Sequence, residues 1–283
     1  MMIRDSSRYP ALLWLGLPLL AALGLYAPLL PSLARDWAKF PSLSHGFIIP
    51  FIAGYLVWAR RERLLSTAPA PSWWGLPVLV AGLGGLVLGI QGAEPFVARI
   101  SMPVTLFGLA LYLGGWPLTK VVWPGIAYLV FMIPLPFSTL ALVTYRSRLV
   151  DAAVSTVALG WMGVPVNQDG VFLHLPNLTL EVADDCSSIP AIAALLALGA
   201  AYASLTTRPA GLRATLIVAT VPLAIMANII RITSTAAAAY YIGPWTLGTI
   251  YHMFNGTANF ILTFFLVLLL DAALSRWVWR LRP

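Results

Sequence analysis

Stretches of about 20 largely apolar residues recur along this chain, and each is long enough to cross the ~30 Å hydrocarbon core of a bilayer as a helix. They fall at roughly 10–30, 46–59 with its flanks, 73–92, 95–115, 121–137, 187–206, 212–230 and 253–275. Lipid offers the backbone no hydrogen-bonding partner, so each window must satisfy its own amides, and a helix does that. The expected fold is an all-α integral membrane protein of about eight transmembrane helices, a single multi-pass membrane domain over residues 1–283. Composition agrees: 10% of residues are charged and 60% are apolar or aromatic, against roughly 25% charged in an ordinary soluble domain. Multi-domain soluble enzymes are thereby excluded. The first window is too long for a secretory signal and lacks a small-residue cleavage site, so it is expected to stay in the mature protein.

The formal charge of +7 could suggest nucleic acid, but the basic residues sit in short clusters between the apolar windows. That distribution orients a membrane protein, so the expected surroundings are membrane lipid and nucleic acid is not an expected partner. Arg4, Arg8, Arg60, Arg61, Arg63, Lys120, Arg208, Arg213, Arg276, Arg280 and Arg282 all fall on one side if both termini are cytoplasmic and eight spans intervene. The other side keeps Arg35, Lys39, Arg99 and the stretch 138–185. The expected location is the plasma (inner) membrane, with that second face extracytoplasmic.

Residues 138–163 read as a helix carrying Arg146, Arg148 and Asp151, lying at the outer interface or packed in the bundle mouth. Residues 164–185 alternate apolar and polar side chains around Pro176 and Asn177, the pattern of a short extracytoplasmic hairpin.

Charged or reactive side chains within spans are costly and tend to be functional or paired. Cys186 stands just before the window 187–206, and His252 opens the last one. Arg231 lies 18 residues beyond the inner Arg213, about 27 Å along a helix and therefore near the outer edge of the hydrocarbon. A thiol, a guanidinium and an imidazole from three helices are expected at one depth. A thiolate attacks a carbonyl carbon, an imidazole moves the proton and a fixed cation stabilises the oxyanion; together they suit acyl transfer. The helix N-terminus beside Cys186 favours the thiolate, whereas Asp184 and Asp185 oppose it. Asn228 shares a helix face with Arg231, and His252, Asn255 and Asn259 share another. These asparagines are candidates for substrate-binding or supporting roles, as is His45 in "SLSHGFIIP", whereas His174 reads as a surface residue. Each core residue also has a plainer reading: Cys186 as packing, Arg231 as an interfacial anchor, His252 as a helix cap. A sole cysteine excludes an internal disulfide and any multi-thiolate metal site, so neither a metal nor another cofactor is expected.

The segments "SHGFIIP" (44–50), "MIPLP" (132–136), "GVPVNQDG" (163–170), "LEVADDCSS" (180–188), "NIIRI" (228–232) and "HMFNG" (252–256) occur in an order that resembles the exosortase/archaeosortase family. Those proteins are multi-pass membrane cysteine transpeptidases. The resemblance implies a nucleophile at Cys186, the family's arginine at Arg231 and its histidine at His252. It implies as partners secreted substrate proteins whose C-terminus holds a short motif, a hydrophobic helix and a basic tail, cleaved on the outer side of the membrane. One departure is local: many members follow the cysteine with Ser-Gly, an aliphatic residue and Arg, whereas this chain reads Cys186-Ser187-Ser188-Ile189-Pro190. The change puts the recognised motif in question more than the chemistry. The alternative from another class is a multi-pass transporter in which Arg231 and the asparagine stripe bind an anionic solute. The absence of repeat symmetry and the single placed thiol weigh against it.

Overall fold

In a computed structural model of the chain, residues 8–206 and 208–280 are described, apart from the side chains of 8–15, 41, 185, 249–256, 259, 260 and 277–280. The chain divides into two compact units, Met1–Pro136 and Phe137–Pro283.

The first unit holds α1 (Arg8–Tyr26), α2 (Leu30–Lys39), α3 (Ile49–Trp58), α4 (Arg61–Ser66), α5 (Gly75–Gln91) and α6 (Pro95–Tyr128), with short 3-10 turns between several of them. The helices α5 and α6 pack backbone to backbone. A Cβ at Gly75, Gly82 or Gly89 would meet Tyr112 N at 2.1 Å, Thr105 Oγ1 at 2.4 Å and Ala98 N at 2.3 Å respectively. Seven-residue spacing places these glycines on one face, the small-residue stripe that lets membrane helices approach closely. Polar side chains in this unit tie helix to helix. Tyr26 shares hydrogen bonds with Ser101 and Thr105 at 2.9 and 2.7 Å. Arg99, expected as an outer-face charge, is buried and pairs with Asp36 at 2.7 Å.

The windows 95–115 and 121–137 do not flank a loop. They meet inside α6 at Gly115, whose φ of 70° and ψ of −176° leave the helical region. Any Cβ there would lie 1.7 Å from the Ala70 carbonyl oxygen, so only glycine can make this break. Lys120, expected between two spans, consequently lies within the helix. Among the described residues, four stretches are long and apolar enough to cross a membrane: Gly16–Lys39, Pro95–Met132, Ser188–Leu205 and Ala210–Tyr241. The windows at 46–59 and 73–92 correspond to shorter apolar helices, Ser42–Trp58 and Gly75–Gln91.

The second unit runs α7 (Phe137–Trp161), a three-stranded antiparallel sheet, α8 (Ser188–Leu205), α9 (Ala210–Tyr241) and α10 (Thr249–Arg280). The sheet orders β1 (Asn167–Asp169), β2 (Phe172–Leu175) and β3 (Leu178–Glu181) side by side. The expected hairpin thus gains a third strand. Its sequence, Asn-Gln-Asp, has no apolar alternation and joins through backbone pairing alone. On β2, Leu173 and Leu175 turn inward to join Ala152 and Leu159 of α7, Ala236 and Ala237 of α9, and Val164 and Val182 in one apolar cluster. Cys186 and Ile232 pack against that cluster.

The helix α7 matches the expected segment 138–163; Arg146 is exposed on it, whereas Asp151 is 1% exposed and packed inside the unit. The helix α9 outruns its window. The sequence after Ile230 is "RITSTAAAAYY", and this run of alanines, the strongest helix former, carries the helix on to Tyr241. Arg231 is therefore an interior residue of a long helix.

Candidate active site

Strand β3 leads directly to the thiol. Val182 N–H donates to the Val171 carbonyl at 3.0 Å, which continues the pairing beyond the strand, and a 3-10 turn at Asp184–Cys186 follows. Arg148, reaching over from α7, fastens this approach. It pairs with Asp184 at 2.6 Å and Glu181 at 2.7 Å, and its Nε donates to the Val182 carbonyl. Ser187 is extended, with φ −75° and ψ 162°, and the helix α8 begins at Ser188 with Pro190 in its first turn. A proline there lacks only an amide hydrogen that the helix would not have used. Cys186 is therefore half-buried at the N-terminal end of α8.

Facing it is α9. The Arg231 Nη2 lies 3.6 Å from the Cys186 Sγ, and one turn earlier Asn228 Nδ2 donates to the Cys186 carbonyl at 2.8 Å. The expected shared face of Asn228 and Arg231 is thus turned toward the thiol. A guanidinium against sulfur favours the thiolate over the thiol, and so does the helix N-terminus.

Behind this pair stands a residue that sequence reasoning missed as part of the site. Asp151 Oδ2 accepts from Ser188 N–H at 2.9 Å, Asn228 Nδ2 at 3.1 Å and Ser147 Oγ at 3.2 Å, and Oδ1 accepts from Ser188 Oγ at 2.7 Å. Ser187, at the N-cap position, makes no side-chain cap bond, and the Asp151 carboxylate from α7 satisfies the first amide of α8 in its place. Burial pushes the Asp151 carboxyl above its ordinary range, while the hydrogen bonds from Ser188, Ser147 and Asn228 pull it down. The sequence signal for Asp151 was its acidity within a long and mostly apolar helix, but its partners lie 37 and 77 residues away.

His252 and Asn255 occupy the beginning of α10 and Asn259 follows, and their side chains lie outside the described residues. His45 belongs to the first unit, in the 3-10 turn Pro41–Phe47. Its ring makes hydrogen bonds to the Ser42 and Phe131 carbonyls. His174 is exposed on β2, where its Nδ1 lies 2.9 Å from Thr179 Oγ1.

A family model described as transmembrane exosortase matches residues 37–269, most of the chain. The chain belongs to the transmembrane exosortase family. The matched span of this exosortase includes His45, Asp151, Cys186, Arg231 and His252. No curated protein and no solved structure matches it.

Proposed function

We propose that this exosortase is a thiol-dependent membrane transpeptidase or protease that cleaves C-terminal sorting signals from secreted proteins. The observation that carries the reading is the Arg231 guanidinium 3.6 Å from the Cys186 sulfur, at a helix N-terminus, in a chain of this family. The Cys186 thiolate attacks the scissile carbonyl carbon, and Arg231 stabilises the oxyanion that forms. Collapse of that intermediate breaks the C–N bond. His252, having taken the thiol proton, returns it to the departing amine, which leaves with the hydrophobic helix and basic tail. A thioester remains on Cys186. Water resolves it in a protease, and an amine or another acceptor nucleophile resolves it in a transpeptidase. An anion transporter would require Arg231 to face its solute, whereas it lies against the sulfur.

The same proposal places the chain in the inner membrane with eight crossings, both termini cytoplasmic and Cys186 on the extracytoplasmic side. The clustering of basic residues supports it. So does the stretch Pro95–Met132: its 38 residues would extend about 57 Å as helix, close to two hydrocarbon thicknesses. The break at Gly115 divides it.

The test is co-expression with a secreted reporter ending in a motif, a hydrophobic helix and a basic tail. Cys186→Ala and His252→Gln are each expected to insert normally and to leave the reporter uncleaved. Reporter cleavage by Cys186→Ala at the wild-type rate would overturn thiol catalysis, and a fully active His252→Gln would remove the acid–base assignment.

A further inference from the structure

Asp151 is placed where a carboxylate is expensive, 1% exposed, and its partners among the described residues are all neutral donors. Two of its contacts reach the backbone on either side of the thiol. On one side Ser188 N–H points into the carboxylate at 2.9 Å, with Ser188 Oγ at 2.7 Å. On the other, the Asn228 amide spans Asp151 Oδ2 at 3.1 Å and the Cys186 carbonyl at 2.8 Å. An NH2 group has two hydrogens, and these two acceptors use both, so the carboxylate fixes which way the Asn228 amide is turned. A flipped Asn228 would set its own oxygen against two oxygens. The carboxylate thus determines the orientation of the Cys186 carbonyl through Asn228 and the start of α8 through Ser188.

We infer that Asp151 is the positioning residue for the nucleophile, an anchor from α7 that holds the Cys186–Ser188 backbone so that the sulfur lies against Arg231. It does not touch the sulfur. The inference rests on the proposed role of Cys186, and it adds a residue and a means of control to that site. Among the described side chains, the charged groups around the segment are Arg231 on α9, Asp151 on α7, and Asp184 in the turn, the last already paired with Arg148. Asp185 in the same turn and His252 on α10 are the further titratable groups, and their side chains lie outside the described residues.

Removing the carboxylate has two consequences of opposite sign. An anion near the thiol opposes its ionisation, so Asp151→Asn makes the thiolate easier to form. It also leaves a single neutral amide oxygen where two carboxylate oxygens accept four hydrogen bonds, which loosens the clamp and misplaces the nucleophile. More thiolate with less turnover is a combination that general loss of folding does not produce.

The experiment uses the full chain in native membranes, with two readouts. One is cleavage of the sorting-signal reporter, resolved into kcat and KM. The other is the pH profile of iodoacetamide alkylation, read on the chain after it is isolated from the membranes, where Cys186 is the sole cysteine. Asp151→Asn is expected to lower kcat about 100-fold, the scale of a nucleophile misplaced by about 1 Å. KM should stay within about twofold, and half-maximal alkylation should move to lower pH. Asp151→Glu, which keeps the charge, should recover part of kcat and the wild-type alkylation profile. An Asp151→Asn enzyme with kcat within twofold and an unmoved profile overturns the inference. If that variant does not accumulate, Asn228→Ala removes one arm and Ser188→Ala removes the hydroxyl bond of the other. Each should cost about tenfold in kcat, the scale of one hydrogen bond, and near wild-type turnover in both overturns the inference equally. Cys186→Ala is the control for the underlying reading. If it still processes the reporter, thiol catalysis fails, while the alkylation profile still reports whether Asp151 governs the thiol.

Discussion

Asp151 and Asp271 are both buried in the second unit, 1% and 3% exposed, and the protein satisfies them by different means. Asp271 on α10 receives Tyr202 Oη at 2.8 Å, Ser275 Oγ at 3.4 Å and the cation Arg208 at 3.3 Å. It joins α10 to α8 and to the segment after α8 with a charge pair whose arginine is 37% exposed. Asp151 has four hydrogen bonds and, among its described partners, no cation. Arg231, one turn beyond its partner Asn228 on α9, is turned to the Cys186 sulfur. An ion pair is the ordinary way to offset the desolvation of a buried carboxylate. Where the structure departs from it, the neutral donors are those that hold the thiol segment. Asp271 serves cohesion, and Asp151 serves placement.

The two arginines give the largest separation. Arg231→Ala is expected to lower reporter cleavage about 100- to 1000-fold, the loss typical of removing an oxyanion-stabilising donor. Arg231→Lys should lose most of that activity too, because an ammonium lacks the planar fork. Arg208→Ala should leave cleavage per inserted molecule within about twofold and act only on stability. Equal losses of cleavage in both alanine variants would erase the distinction between cohesion and placement.

The two sites also differ in how much of each is legible in the sequence. The three-residue spacing of Asn228 and Arg231 was sufficient to predict that both face one way, and both turn to Cys186. Family-ordered motifs around Cys186 and Arg231 lie within the matched span. Asp151 was visible as a charge in a helix, but periodicity cannot say that its partners lie 37 residues away across a sheet. The third strand was hidden for a related reason: Asn167–Asp169 has no apolar alternation, and only its backbone pairing with β2 makes it a strand. Hydropathy windows located the apolar helices but not their ends. Local chemistry decided those, through the alanine run that extends α9 and the positive φ that only Gly115 tolerates in α6.

A smaller effect sharpens the comparison from the other side. Asp271→Ala strands the Arg208 charge and the Tyr202 hydroxyl. Breaking a buried pair costs roughly 3–5 kcal/mol, and the partial exposure of Arg208 reduces this to about 2 kcal/mol. The expected result is a lower unfolding temperature in detergent with the Cys186 alkylation profile unchanged. A shifted alkylation profile would mean that α10 transmits strain to the thiol, and Asp271 would then share the placement role.

The smallest expected effect is in the pH dependence of stability. Burial raises the folded-state pKa of Asp151 above its ordinary value, with the hydrogen bonds from Ser188, Ser147 and Asn228 acting against it. Between the unfolded value of about 3.9 and the raised folded value, the folded protein holds the extra proton, so stability falls as pH rises through that window. The contribution of Asp151 is fully present below the unfolded value and is lost above the folded one. Other carboxylates add slopes of their own, so the quantity to measure is the difference in unfolding temperature between wild type and Asp151→Asn, from about pH 7 to about pH 4. Wild type should gain on the variant as the solution is acidified. An Asp271→Asn protein, which retains Asp151, should follow the wild-type slope for this group. Should wild type instead lose ground to Asp151→Asn in acid, the four donors would outweigh desolvation. The ionised carboxylate would then be a stabilising anchor in its own right, and Asp151 would resemble Asp271 more closely than its neutral partners suggest.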